Sequence, residues 1–508
     1  MSAPVPSHRR SFFPVWVALP LAVAAWLRWR HLGILDPFVD EGANILTALD
    51  PRVRAAFEPL AQGRPLLVWL FVPAGWFPEH ALWAARMMTA CAGLATMAAL
   101  GWALHLLGGR RAALWGLWLW AVLPVAVWHE RLALQDPFVT AALAGALALL
   151  AAGSRPAATR SQVWWHAGAG LLFGTAFLLK ISALFALPWL GLWHFALQRH
   201  YGRPVLDRRL AALAVGVIAP LLLLGTGLLH LGAGLGRYDA LPVSGGGFAG
   251  LAALHRLQIW LGWYSGYGGW PLLLLFGLGL VLAGRSIPVR SPAWCCAGGW
   301  VLSLLIGGLL YNNAHARYSL PDHLPLVLFL ALALGTVTMS GWSRAVLAAA
   351  ALALARWWCV SWQIGTAPSR AAVPVAEVTQ YVTGPWSGRG TAELRRCLAD
   401  YADRHQVQCL VLTHPFLRPG CYALMLAALG DPRIVVVPLT VYEPEELAVA
   451  KRGLVHITSG HPAAFFILYE GSLYPTPPWL DRPDTGAKLL HTVDRGDGEA
   501  FRLYQIQP

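Results

Sequence analysis

The chain has 508 residues, 57% of them hydrophobic and only 12% charged, with a mean hydropathy of +0.53. A soluble globular chain carries about 25% charged residues, so the composition excludes one and describes a polytopic membrane protein with a smaller polar part. The formal charge of +13 does not mark a nucleic-acid binder: the basic residues cluster in short loops between apolar segments, the pattern of membrane orientation.

Residues 1–10 are polar and end in Arg9-Arg10, which predicts a cytoplasmic N-terminus. A first span covers about 12–30. It lacks an A-x-A cleavage site and reads as a retained span. The stretch that follows, Leu35-Asp36-Pro37-Phe38-Val39-Asp40-Glu41-Gly42-Ala43-Asn44, holds three carboxylates in six residues. Asp36 with Pro37 predicts a capped helix, with Asp40 and Glu41 in its early turns near the positive end. Residues 31–82 form a long first loop that also carries Arg64-Pro65-Leu66-Leu67.

Further spans are predicted at about 83–107, 112–129, 137–153, 164–180, 182–197, 210–231, 259–283, 293–311, 321–339 and 343–362. Eleven spans alternating from a cytoplasmic start place Arg110, Arg111, Arg155, Arg160, Arg199, Arg203, Arg208, Arg209, Arg285, Arg290 and Arg344 inside. The short outer loops hold fewer: Arg131, Lys180, Arg237, Arg256 and Arg317. The predicted organisation is a transmembrane domain, 1–362, and an extracytoplasmic α/β domain, 363–508. In the latter, helices at 391–404, 422–429 and 443–451 alternate with strands at 407–412, 433–438 and 454–458. It carries no Gly-rich phosphate loop and no nucleophile elbow. The seven cysteines show no metal-ligand spacing; an extracytoplasmic tail allows one disulfide among Cys397, Cys409 and Cys421, whose pairing is not readable from the sequence.

This topology collects Asp36, Asp40, Glu41, Arg64, Arg86, Arg131, Asp136, Lys180, His315, Arg317 and Tyr318 on one face. Acids beside a polar cavity suit proton abstraction, and cations at the interface suit a phosphate. An extracytoplasmic site has no supply of nucleotide sugars, so a donor already activated in the membrane is expected. A polyprenyl-phosphate sugar meets that need, its tail between spans and its phosphate at the interface. Each residue also has a structural reading: Asp136 before Pro137 suits a helix N-cap, Lys180 suits snorkelling, and Arg317 and Tyr318 suit interface anchors.

The order of these pieces resembles the membrane glycosyltransferases of the C-type fold, close to protein O-mannosyltransferases and aminoarabinose (lipid A) transferases. Asp40-Glu41 resembles that family's first-loop Asp-Glu pair, and Arg64-Pro65-Leu66-Leu67 its Lys-Pro-Pro-Leu stretch, with Arg for Lys and one Pro missing. Arg86 matches the Arg opening its second span. Glu130-Arg131-Leu132-Ala133-Leu134-Gln135-Asp136-Pro137 resembles its Ser-Arg-x-x-x-x-Asp-Pro element, Lys180 the Lys closing its fifth span, and Arg317-Tyr318-x-Leu320-Pro321 its Arg-Tyr-x-x-Pro stretch.

The resemblance implies an integral-membrane enzyme that moves a sugar, with inversion, from a polyprenyl phosphate to an extracytoplasmic protein, lipid or glycan. Asp40 is the implied base, supported by Glu41 and Asp136. Arg64, Arg131, Lys180, Arg317 and Tyr318 are the implied phosphate ligands. Family members differ on metal, so a divalent ion is left open, with Asp40, Asp136 and His315 as candidate ligands. No nucleic-acid partner is expected, and the implied location is a bacterial cytoplasmic membrane. The alternatives are a transporter or flippase of lipid-linked sugar, or an inactive scaffold whose tail binds partners.

Overall fold

A computed structural model describes residues 13–51, 53–54, 66–156, 159–223, 250–289, 291–310, 315–337, 341–414, 419–439, 441, 443–454, 462–470, 476–482, 486–496 and 498–506. Arg64, within the expected phosphate-binding set, lies outside these residues. Twelve of the helices are labelled here in chain order: α1 Phe13–Trp29, α2 Val39–Leu49, α3 Ala81–Val122, α4 Pro124–His129, α5 Asp136–Ser154, α6 Thr159–Leu179, α7 Leu187–His200, α8 Arg208–Leu223, α9 Gly250–Ser286, α10 Pro292–Leu310, α11 His323–Gly335 and α12 Gly341–Thr366.

Among the described residues, four segments are long and apolar enough to cross a membrane: Pro78–Val122, Asp136–Ser154, Leu254–Ser286 and Arg344–Thr366. The stretches Trp16–Trp29, Pro292–Ile306 and His323–Gly335 are apolar but shorter. The two spans expected at 83–107 and 112–129 meet within α3 at Gly109, whose φ of +74° only glycine adopts at no cost. Every residue from His323 to Leu334 is buried, so α11 is enclosed on all sides, as befits a helix apolar all round. It packs against α3 and α10.

Beyond α12 the chain folds on a five-stranded sheet of order β2-β1-β3-β5-β4, with β1 Gln408–Thr413, β2 Ile434–Pro438, β3 Ala463–Glu470, β4 Ala487–Gly496 and β5 Glu499–Ile506. The strands β1, β2 and β3 are parallel, with Val411 opposite Val436 and Phe466. Cys409 to Leu412 are fully buried, which matches a central strand covered on both faces. A helix at Thr391–His405 (α13) packs on β1 through Leu394, Leu398, Tyr401 and Ala402, one helical stripe.

Two sequence expectations are revised here. Of the strand expected at 454–458, Leu454 is the last residue of a helix, Pro444–Leu454 (α14), and residues 455–458 lie outside the described residues; the third strand described runs at 463–470. The antiparallel hairpin β4–β5 went unread because its partly exposed first strand lacks a continuous apolar run. All seven cysteines are free thiols.

Candidate active site

The first loop is fixed by a buried clamp. The α2 helix starts at Val39, later than the Asp36 cap predicts, because Glu41 reaches back and accepts a hydrogen bond from the Phe38 N–H at 2.9 Å. The other partners of Glu41 are Arg86, which donates Nε to Oε1 at 2.8 Å and Nη2 to Oε2 at 2.7 Å, and the Ala133 N–H, at 2.6 Å from Oε1. Arg86 also donates to the carbonyls of Leu32, Leu35 and Asp36. Glu41 therefore ties the first loop to α3 and to the loop before α5, with none of its surface open to solvent.

Arg131 is held in the same way. Its guanidinium donates to the carbonyl oxygens of Leu27, Arg28, Arg30 and His31 at the end of α1. Those carbonyls lack helical partners, and a cation suits that helix end. Beside it, Glu130 is buried against the Arg28 guanidinium and accepts from Trp120 Nε1 at 3.0 Å. The acid that replaces the serine of the family element is thus answered by an arginine on α1.

Asp40, one residue before Glu41, has a different environment. Its side chain is 29% exposed, and it takes Arg317 Nη1 on Oδ2 at 2.6 Å. Asp136, the first residue of α5, takes Lys180 Nζ at 2.5 Å. Lys180 is at the break between α6 and the 3-10 turn Ile181–Ala186, where an extended backbone turns the chain. Tyr318 joins the two pairs: Lys180 Nζ is 3.9 Å from its ring centroid, and the Arg317 guanidinium carbon is 5.4 Å away. Asp40, Arg317, Tyr318, Lys180 and Asp136 form one continuous chain of contacts.

Burial alone would lower the Arg317 guanidinium; the charges of Asp40, Tyr381, Tyr318 and Asp136 hold it well above its ordinary value. His315, two residues earlier, is pushed down to about 4 by burial and by the Arg317 charge. Among the described residues, no three His, Cys, Asp or Glu side chains gather as metal ligands, so Asp40, Asp136 and His315 do not form such a group.

The segment after α12 closes this site, which the sequence reading left without chemistry. Glu377 is buried and accepts a hydrogen bond from the Tyr267 hydroxyl of α9 at 2.6 Å. His129 Nε2, at the end of α4, is 3.4 Å from the same carboxylate oxygen. Gln380 hydrogen-bonds His315, and the Tyr381 ring meets Phe38 edge-on at 4.6 Å, two residues before Asp40. Asp36 accepts the Gly390 N–H at 2.8 Å, binding the tail to the first loop rather than capping a helix. One sequence signal marks Glu377: it is the only acid between Asp322 and Glu393. His129, Tyr267 and Tyr381 carry no such mark among many aromatic residues of apolar segments.

A second tail contact sits directly on α2. A Cβ on Gly42 would lie 2.7 Å from the Tyr422 carbonyl oxygen, so only glycine lets this backbone approach the helix that carries Asp40.

Comparison with known proteins bears on the fold and on part of the sequence. Residues 51–226 match the family model described as dolichyl-phosphate-mannose-protein mannosyltransferase. No curated protein sequence matches the chain. The fold is similar to that of ArnT from Cupriavidus metallidurans bound to undecaprenyl phosphate, at 16% identity over 98% of each chain and a TM-score of 0.59. It is also similar to the oligosaccharyltransferase AglB from Archaeoglobus fulgidus, in complex with an inhibitory peptide and a dolichol-phosphate. There the identity is 13%, over 90% of this chain and 70% of the other, with a TM-score of 0.50. The chain has the C-type glycosyltransferase fold, as the resemblance implied.

Proposed function

We propose, from this shared C-type glycosyltransferase fold, that the protein transfers a sugar from a polyprenyl phosphate to an extracytoplasmic acceptor, with inversion at the anomeric carbon. The observation that carries the reading is the chain of contacts from Asp40 through Arg317, Tyr318 and Lys180 to Asp136. It puts a part-exposed carboxylate beside two cations, the pairing that glycosyl transfer to a hydroxyl needs.

Asp40 is the base. The acceptor oxygen bonds to the anomeric carbon as the bond from that carbon to the phosphate oxygen breaks. The acceptor proton passes to Asp40, and the polyprenyl phosphate leaves with the electron pair. Arg317 and Lys180, with Arg64 from the first loop, stabilise the departing phosphate. Asp136 aims Lys180, and Tyr318 holds both cations in place. Glu41 and Arg131 serve the reaction by fixing the first loop.

Eleven spans, an N-terminus inside and residues 363–508 outside the cytoplasm belong to this reading, as does a bacterial cytoplasmic membrane. The basic loops and a polyprenyl-linked donor support them.

The test is Asp40→Asn, chosen because it keeps the side chain's shape and removes its basicity. Transfer should be abolished while the protein stays in the membrane, and near-normal activity would refute the assignment. Cells lacking the protein should accumulate its lipid-linked sugar, and mass spectrometry of that lipid identifies the donor. A flippase in this chain would move the lipid across vesicles with no sugar transferred.

A further inference from the structure

The polar cluster behind Arg317 holds one carboxylate more than the reaction requires. Asp40 with Arg317, and Asp136 with Lys180, form two pairs of opposite charge at 2.6 and 2.5 Å. Glu377 is a third acid of the same cluster. It is packed by Tyr267 of α9, by His129 of α4, by Tyr381 one turn further along its own segment, and it lies within electrostatic reach of Arg317. Its Oε2 accepts from Tyr267, while its Oε1 is buried with no hydrogen-bond partner among the described residues. An ionised carboxylate keeps a buried oxygen without a donor only at a cost. Neither is His129 a ready counter-ion: its Nδ1 is also buried and unpartnered.

A donor phosphodiester adds one more negative charge beside Arg317 and Lys180. Two unmatched anions in one water-poor site repel each other, and the site relieves this by binding a proton. Glu377 is the group placed to take it, because Asp40 and Asp136 already face cations. Burial holds the Glu377 carboxyl up at about 7, against the lowering effects of Tyr267 and Arg317, so a neighbouring charge moves its titration across the neutral range.

We propose that Glu377 is a positioning residue for the donor: its carboxyl takes up a proton when a polyprenyl phosphate seats on Arg317 and Lys180, which makes donor binding proton-linked. This rests on the donor class proposed above. It adds that the segment entering the tail domain sets the charge of the phosphate site without touching the substrate.

The full chain in lipid nanodiscs, titrated with the methyl ester of undecaprenyl phosphate, tests it. That diester carries one charge that does not titrate near neutrality. The wild-type Kd should rise with pH above 7, approaching about tenfold per pH unit, the limit for one linked proton. Glu377→Gln keeps an acceptor for Tyr267 and should bind with a Kd flat to within about twofold over the same range. Asp40→Asn should keep the wild-type slope. A flat wild-type profile, or a wild-type slope in Glu377→Gln, overturns the proposal. Should Glu377→Gln fail to fold, Tyr267→Phe decides: loss of its hydroxyl should move the inflection to higher pH, and an unmoved inflection refutes the role. Diester binding without sugar transfer would sink the enzymatic reading and leave this one standing. Transfer with pH-independent binding would do the reverse.

Discussion

Neighbouring acids at 40 and 41 have opposite fates because a helix sends successive side chains about 100° apart. Asp40 is part-exposed and meets Arg317; Glu41 faces the protein and accepts from two backbone N–H groups and Arg86. Glu41→Ala would leave the Arg86 guanidinium buried without its counter-charge, a loss expected to cost about 3–5 kcal/mol. Its thermal unfolding midpoint in detergent should therefore fall well below the wild-type value, whereas Asp40→Asn, which keeps an acceptor for Arg317 at a carboxylate that is 29% exposed, should lower it less and remove activity. The pH dependence of stability at Glu377 also has a definite sign. Its folded carboxyl titrates at about 7, above the unfolded value of about 4.3, so the native state holds the extra proton between them. Its contribution is fully present below the unfolded value and is lost as pH rises towards 7. Thermal melts at intervals from pH 4.5 to 7.5 should show a decline in the wild type that Glu377→Gln lacks.

At the scale of elements, the tail is part of the site because α2 has a glycine where the backbone at Tyr422 comes down. Gly42→Ala puts a methyl group against a carbonyl oxygen that cannot swing aside, so the turn at Pro419–Ala423 must lift from α2. Faster limited proteolysis of the tail and reduced transfer are expected together. Gly33→Ala, where a Cβ would meet nothing within 4 Å, is the matched control and should behave as wild type. The break before the turn Ile181–Ala186 matters in the same way: it ends α6 and delivers Lys180 to Asp136.

Across the whole molecule, the membrane helices and the sheet domain share one polar boundary. Asp36 with Gly390, Glu377 with Tyr267, and Gly42 against Tyr422 are three separate seams between them. If that boundary faces away from the cytoplasm, an alkaline phosphatase fused after residue 508 should be active, and a fusion at residue 10 should not. The reverse pattern would overturn the orientation argued from the basic loops.

The sequence by itself determined the membrane class, the position of most helices, and the residue types of the site. Hydropathy and loop charge are local properties, and a carboxylate beside a membrane span is costly wherever it occurs. Asp40 and Asp136 stood out as candidates for that reason, and Lys180, Arg317 and Tyr318 through the resemblance. Only the tertiary structure decided which acid met which cation. It also gave Glu41 and Arg131 to holding the loop, started α2 at Val39, and brought Glu377 to the wall of the site from 337 residues beyond Asp40 (377 − 40). Such pairings depend on contacts between segments far apart in the chain, and no periodicity within one segment encodes its partner in another.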